Sequence, residues 1–362
     1  MTDIRPSTHM IGRGAQSNPN NRFQKLSLEA EYDQLEANDE LLEGCKRIAT
    51  DYFEDDSQSI LSENNSPDIP FRYSLNPYRG CAHGCAYCYA RPTHEYLGLS
   101  AGVDFESKIF VKTHAAELLR TRLSKADWRP EPIMMSGVTD CYQPAERQLR
   151  ITRGCLEVAC QFGQPISLIT KNALVARDID ILANMAHRNL ARVAISLTSL
   201  DQSLIRVLEP RTSSPDARLR TMRQLADAGV PVTVMTAPVI PGLNDSEIPA
   251  LLEAAAAHGA TYAGYVLLRL PLTVKPVFLQ WLAKHLPSRQ AKIEQLIEQT
   301  RGGELNQSQF GQRMRGTGAL ADHLSNTFKV FALKAGLQRK PPPLDCSQFA
   351  VPAAADQQLW LF

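Results

Sequence analysis

The sequence predicts an α/β protein built on a parallel sheet, and three observations point there. Apolar, β-rich runs recur at 108–112, 132–137, 165–170, 192–198, 231–239 and 263–270. Helical patterns lie between most of them, and three end on a glycine: Gly163, Gly229 and Gly259. The strand-helix unit repeats at intervals of roughly 30 residues, the length of a βα crossover. The runs are nearly continuous in apolar residues, as expected of strands buried on both faces. With a first strand just before residue 76, the count is six or seven. That is too few for a closed eight-stranded barrel.

The elements follow in order. Residues 1–70 form a polar, acidic arm. Within it, Leu28, Tyr32, Leu35, Leu41 and Leu42 allow a helix around 28–48. Thirteen acidic residues between 29 and 68, against Lys46 and Arg47, make a solvated face. Arg13, Asn18 and Arg22 sit among Gly and Pro, a composition suited to covering the mouth of a site. The βα region spans 71–270. A helix over 113–124 has inward positions at Ala116, Leu119 and Leu123, and another covers 147–162. A helix over 215–228 opens with Ser214 as N-cap and Pro215 as its first residue. One more spans 246–258. Residues 271–340 form a helical extension, with helices over 275–286, 289–300 and 318–335. Residues 341–362 read as a Pro/Ala linker followed by a short apolar tail.

Composition bounds the function. At 44% hydrophobic and 21% charged residues the chain is an ordinary globular protein. A net charge of +1 gives no global attraction to nucleic acid or membrane. Charge is uneven, with seven Lys or Arg against Glu304 and Asp322 in 301–340. No Walker A loop or G-x-G-x-x-G turn is present, so the usual ATP and dinucleotide signals are missing. No apolar run approaches a membrane span, and no signal-peptide pattern opens the chain. Eight cysteines without a secreted-scaffold pattern suit a reducing, cytoplasmic setting.

The stretch 76–92, NPYRGCAHGCAYCYARP, carries the strongest chemical signal. Cys81, Cys85 and Cys88 are spaced C-x3-C-x2-C. Three thiolates on a tight loop hold three corners of a four-iron cluster and leave one iron without a protein ligand. A zinc knuckle would draw a fourth ligand from His83 or His94, and a disulfide would need an oxidising compartment. Structural zinc usually pairs two knuckles, and no second knuckle is present. Further polar residues fall where strands end: Ser136, Thr139 and Asp140, then Thr170 and Lys171, Ser196 and Thr198, and Arg269. Ligands of parallel α/β sheets bind at those ends. The alternative is that each residue caps the next helix.

This loop resembles that of the radical S-adenosylmethionine (SAM) superfamily, including the aromatic Tyr87 before Cys88. The resemblance implies an α/β fold of partial (β/α)6, TIM-like form, a 4Fe-4S cluster on Cys81, Cys85 and Cys88, and SAM bound to the open iron. It further implies an external electron donor and reductive cleavage of SAM to a 5′-deoxyadenosyl radical. Within the superfamily the chain resembles the spore photoproduct lyase branch. The matching segments are Tyr87-Cys88-Tyr89, Val138-Thr139-Asp140, Thr170-Lys171 and Ser196. By that resemblance Tyr87 and Tyr89 lie at the site, with Tyr89 returning a hydrogen atom. Thr139, Asp140, Lys171 and Ser196 belong to the SAM site, with Lys171 meeting the SAM carboxylate. The lyases carry a cysteine three positions before the aspartate, as hydrogen donor. Here that position is Gly137, and Cys141 is the nearby candidate to replace it. Gln143, Glu146, Glu209, Arg211 and Arg218 also resemble residues of the branch.

Gln358, Leu359, Leu361 and Phe362 have the Q-L-x-L-F form of the peptide that bacterial proteins insert into the DNA sliding clamp. The basic residues Arg313, Arg315, Lys329, Lys334, Arg339 and Lys340 are then candidates for phosphate contacts. The expected function is a radical SAM enzyme acting on DNA or another nucleic acid in lyase-like repair. The alternatives are radical modification of a peptide or small molecule, and a non-enzymatic iron–sulfur or zinc protein.

Overall fold

A computed structural model describes residues 12–23 and 48–352. The expected helix around 28–48, the tail residues Gln358, Leu359, Leu361 and Phe362, and Cys45 lie outside the described residues. Among the described residues ten strands are formed: β1 (Asp51–Glu54), β2 (Leu61–Glu63), β3 (Tyr73–Leu75), β4 (Tyr78–Arg79), β5 (Lys108–Val111), β6 (Ile133–Met135), β7 (Ile166–Thr170), β8 (Ala191–Ser196), β9 (Val232–Val239) and β10 (Tyr262–Leu267). The main sheet runs β10-β9-β8-β7-β6-β3-β2. Its six strands from β3 to β10 are parallel, and β2 is added antiparallel at one edge. Order along the sheet follows order along the chain. The outer edge of β10 is covered by the C-terminal strip, where Ala263 N–H donates to the Gln338 carbonyl at 2.8 Å. The fold is therefore a partial, TIM-like barrel of six parallel strands rather than a closed one.

The helices form where their caps predict. Ser214 Oγ accepts from Ala217 N–H, and Pro215 opens Pro215–Asp227. The left-handed Gly163 ends Ile151–Phe162. The expected helix over 147–162 is in fact two, Glu146–Leu149 and Ile151–Phe162, broken at Arg150 with φ +53°. The break lets Glu146 turn back, and its Oε2 accepts from Thr152 N–H at 3.0 Å. The main core fills the space between the helices and the sheet, around Leu75, Met135, Leu168, Val193 and Val234.

Two expectations change, and the helical extension gains its packing partner. The 108–112 run is not part of the main sheet. It pairs with β1 and β4 in a small three-stranded sheet that braces the cysteine loop, because β4 leads directly into that loop. The C-terminal helices Val274–His285 and Gln290–Gln299 do not stand apart. Phe278, Trp281, Ile293 and Ile297 share one apolar cluster with Cys85, Ala86 and Tyr87. Finally, 341–350 is not a free linker. Asp345 N–H donates to Asn189 O at 2.9 Å, Ala350 N–H to Phe162 O at 2.9 Å, and Gln348 Nε2 to Arg188 O at 2.8 Å. These anchors precede β7 and β8, so the strip is fastened at the sheet pole opposite the strand ends that carry the site. Among the described residues no helix is long and apolar enough to cross a membrane.

Candidate active site

The cysteine loop leaves β4 and turns back on itself three times. Gly84 N–H donates to Cys81 O, Cys88 N–H to Cys85 O, and Arg91 N–H to Cys88 O. Cys81 and Cys85 are buried, Cys88 is partly exposed, and all three are free thiols. The loop is held from both sides. On one side, Gln143 Oε1 accepts from Ala82 N–H at 2.9 Å, and Thr139 Oγ1 donates to Gly80 O at 2.6 Å. On the other, the buried Arg91 guanidinium donates to Cys85 O and pairs with the buried Glu106 carboxylate. Glu106 also accepts from Gly14 N–H at 3.0 Å and Ala15 N–H at 2.7 Å. Arg13 donates to Glu106 O. The segment 12–23 thus straps the outside of the loop rather than the site's mouth. The approach is tight enough to demand glycine: a Cβ on Gly14 would lie 1.8 Å from Gly84 O, and one on Gly84 would lie 2.6 Å from Glu106 Oε2.

Of the two histidines, His83 has both ring nitrogens engaged, whereas His94 has Nε2 engaged and a buried Nδ1 without a hydrogen-bond partner among the described residues. His83 is buried between Asp140 Oδ2, at 3.3 Å, and Asn172 Nδ2, at 3.2 Å. Burial opposes its charge, but Asp140 and Cys81 outweigh that and push its pKa up to about 10. His94 faces Lys108 O at 3.0 Å and packs edge-on against Phe105; burial lowers its pKa to about 4.

Asp140 and Thr139, expected in the SAM site, are committed to the protein itself. Asp140 accepts from Thr170 Oγ1 at 2.7 Å, Tyr142 N–H at 2.9 Å and Lys171 N–H at 2.9 Å. It ties the cysteine loop, through His83, to the end of β7. Burial disfavours its charge, yet His83 and these donors hold its carboxyl below the usual carboxylate range.

Lys171 and Ser196 are brought together as expected. Lys171 Nζ reaches Ser196 Oγ at 2.5 Å, Ala237 O at 3.2 Å and Glu209 Oε1 at 3.5 Å. Glu209 is the hub that the strand-end reading undervalued. It is fully buried, paired with Arg218, and accepts from Thr198 Oγ1 at 2.6 Å and from the Tyr87 hydroxyl. Burial pushes against its charge, but Arg218 and Lys171 hold it well below the usual carboxylate range. The sequence carried a signal here, since Glu209 and Arg218 both stood in segments singled out. The pairing partner was not legible: Arg211 turns instead to Gly12 O and Thr50 Oγ1.

The two tyrosines diverge. Tyr87 is buried against Glu209. Tyr89 is half exposed, and its hydroxyl donates to Gly137 O at 2.6 Å. Tyr89 therefore stands at the mouth, beside the position where the lyases carry their cysteine. Cys141 does not replace that cysteine. It is fully buried in the main core, its carbonyl accepts from Thr152 Oγ1, and a hydrogen donor must reach the substrate. Arg313 is likewise not available to phosphate, because it pairs with Asp68 at 2.5 Å.

The donor set fits an iron–sulfur cluster. Cys81, Cys85 and Cys88 sit close enough for their charges to act on one another, and burial with that mutual repulsion pushes the Cys88 thiol up to about 11. Among the described residues no three His, Cys, Asp or Glu side chains gather around a single-ion position.

Comparison with known proteins places the chain. The profile of the Radical SAM superfamily matches residues 75–255, half of the chain. An uncharacterised protein of Mycobacterium tuberculosis is 39% identical over 234 residues, covering 64% of this chain and 69% of the relative. One of Methanocaldococcus jannaschii is 28% identical over 184 residues, covering 51% and 66%. Spore photoproduct lyase complexed with dinucleoside spore photoproduct shares the fold. Its TM-score is 0.58 at 18% identity, covering 80% of this chain and 81% of that one. A variant of that lyase with bound AdoMet and the same dinucleoside gives 0.57 at 18% identity, covering 88% and 87%. Enzymes of the superfamily work with a 4Fe-4S cluster and SAM, and need an electron donor. The chain is an enzyme of the radical SAM superfamily.

Proposed function

We propose that this radical SAM enzyme acts on a nucleic acid, in a lyase-like reaction on a damaged base. The observation that carries the reading is the mouth itself. Tyr89 stands half exposed beside Gly137 O, with Arg269 over its ring, at the open end of a fold shared with a lyase solved with a dinucleoside photoproduct. Aromatic and guanidinium surfaces are the usual platform for unstacked bases.

Cys81, Cys85 and Cys88 would hold the cluster, which when reduced supplies the electron for SAM cleavage and hence a 5′-deoxyadenosyl radical. Lys171 is the residue to receive a SAM carboxylate. Its ammonium is fixed by Ser196 Oγ and Ala237 O and backed by the buried Glu209 charge. Thr139 and Asp140 act as positioning residues, through Gly80 and the end of β7. Tyr89 is the residue placed to exchange a hydrogen atom with substrate, since its hydroxyl lies at the mouth and Cys141 does not. The apolar tail, Gln358 to Phe362, is proposed to bind a sliding clamp.

The reading is tested by SAM turnover of the reconstituted, reduced enzyme with irradiated DNA, intact DNA and peptides. Irradiated DNA should stimulate turnover most. Stimulation by peptide alone would move the enzyme to the other substrate class.

A further inference from the structure

Beyond β10 the protein gathers guanidinium groups without matching carboxylates. Arg269, two residues past the strand, is partly exposed and lies over the Tyr89 ring at 5.8 Å. Its Nη1 reaches only Met314 Sδ, at 3.7 Å, and its buried Nε has no hydrogen-bond partner among the described residues. Arg301 is fully buried and donates only to carbonyls, those of Leu267, Leu268, Gln312 and Arg313. Its Nε is also without a partner. Arg313 is the one of the three with a counter-charge, Asp68, and it covers the exposed Phe310 ring at 4.7 Å. Among the described residues, three cations thus share one carboxylate in a partly dehydrated corner. Burial, together with Arg313, depresses the Arg269 pKa.

A guanidinium held away from water without an anion is unfavourable. A ligand that brings the anion relieves that penalty. We propose that Arg269 and Tyr89 form a subsite for one phosphodiester of the substrate, with the Arg269 fork on the phosphate and the Tyr89 ring against the adjoining base. The chemistry on the page favours phosphodiester over carboxylate. The guanidinium plane matches two phosphate oxygens, and the Tyr89 ring beneath it is half exposed, so a base can reach the ring beside the guanidinium. This deepens the nucleic-acid reading and rests on it.

The test is anaerobic binding of the reconstituted enzyme to a fluorescent single-stranded thymidine oligonucleotide, beside the same oligomer with neutral methylphosphonate linkages. R269Q should weaken phosphodiester binding about tenfold and flatten the salt dependence by about 0.7 in log–log slope, the contribution of one phosphate on a single strand. R269K, which keeps the charge and loses the fork, should fall between the two. The methylphosphonate oligomer should bind R269Q and wild type alike. Melting temperature and cluster absorbance check that the variants are folded. Equal phosphodiester affinity in R269Q and wild type overturns the subsite and leaves the nucleic-acid reading standing. Tighter binding of a glutamate-rich peptide than of the oligonucleotide, or no oligonucleotide binding by wild type, overturns both.

Discussion

Replacing Glu106 by Gln tests whether the strap and the cysteine loop are one unit. Glu106 and Arg91 are both fully buried and paired, and Glu106 also takes the Gly14 and Ala15 amides. Glutamine keeps the shape but removes the charge, and turns one acceptor oxygen into a donor facing donors. Arg91 keeps its carbonyl partners at Cys85, Ala101 and Gly102, but loses the Glu106 carboxylate. Breaking a buried pair from one side costs about 3–5 kcal/mol. Unfolding entropy of about 2.1 cal/mol/K per residue, over 362 residues, gives roughly 0.76 kcal/mol/K, so the melting temperature should drop by about 4–7 °C. Because the strap lies against Gly84, between two ligands, its release also opens the cluster to oxygen. The assay is differential scanning fluorimetry of the reconstituted protein under anaerobic conditions, followed by the decay of cluster absorbance in air. E106Q should melt lower and bleach several times faster. Wild-type melting and wild-type bleaching in E106Q would refute the claim that this carboxylate organises the loop.

Two further outcomes follow from the same geometry. Glu209 has its carboxyl held below the ordinary value of 4.5, so its stabilisation is present above that pH and is lost as pH falls beneath it. Wild type should therefore lose stability progressively below about pH 4.5, whereas E209Q should be less stable at neutral pH and flatter in acid; parallel pH profiles would contradict the hub role. Deleting 359–362 should abolish binding to a purified bacterial sliding clamp while leaving the melting temperature unchanged. Binding that survives the deletion would remove the clamp from the account.

Much of the scaffold was legible because it rests on local signals. Periodicity and caps located the six parallel strands, and Ser214, Pro215 and Gly163 marked helix ends that the structure keeps. The ligand loop was legible because C-x3-C-x2-C is a local spacing. What the sequence hid is what depends on distant partners. The 108–112 run has the composition of a central strand, yet its neighbours are β1 and β4 from the arm and the loop, which no local pattern announces. Glu209 and Arg218 lie nine positions apart across a loop and a helix start, so their pairing is set by the fold and not by the spacing. Cys141 adjoins Asp140 in the chain, but the turn after β6 sends it into the core. Ser136 makes that turn with φ +78°, and its Oγ accepts from Cys141 N–H at 2.9 Å. Arg13, Asn18 and Arg22 among Gly and Pro suggest a cover for the site's mouth, whereas the target of the 12–23 strap, Glu106, lies more than ninety residues away.

The central claim, a radical SAM enzyme working on damaged nucleic acid, meets its most direct test in one measurement: 5′-deoxyadenosine released by the anaerobically reconstituted, dithionite-reduced protein with and without irradiated DNA. The account predicts formation that is abolished in C81A, C85A and C88A and rises several-fold with irradiated over intact DNA. An intact cluster that yields no 5′-deoxyadenosine under either condition would contradict it.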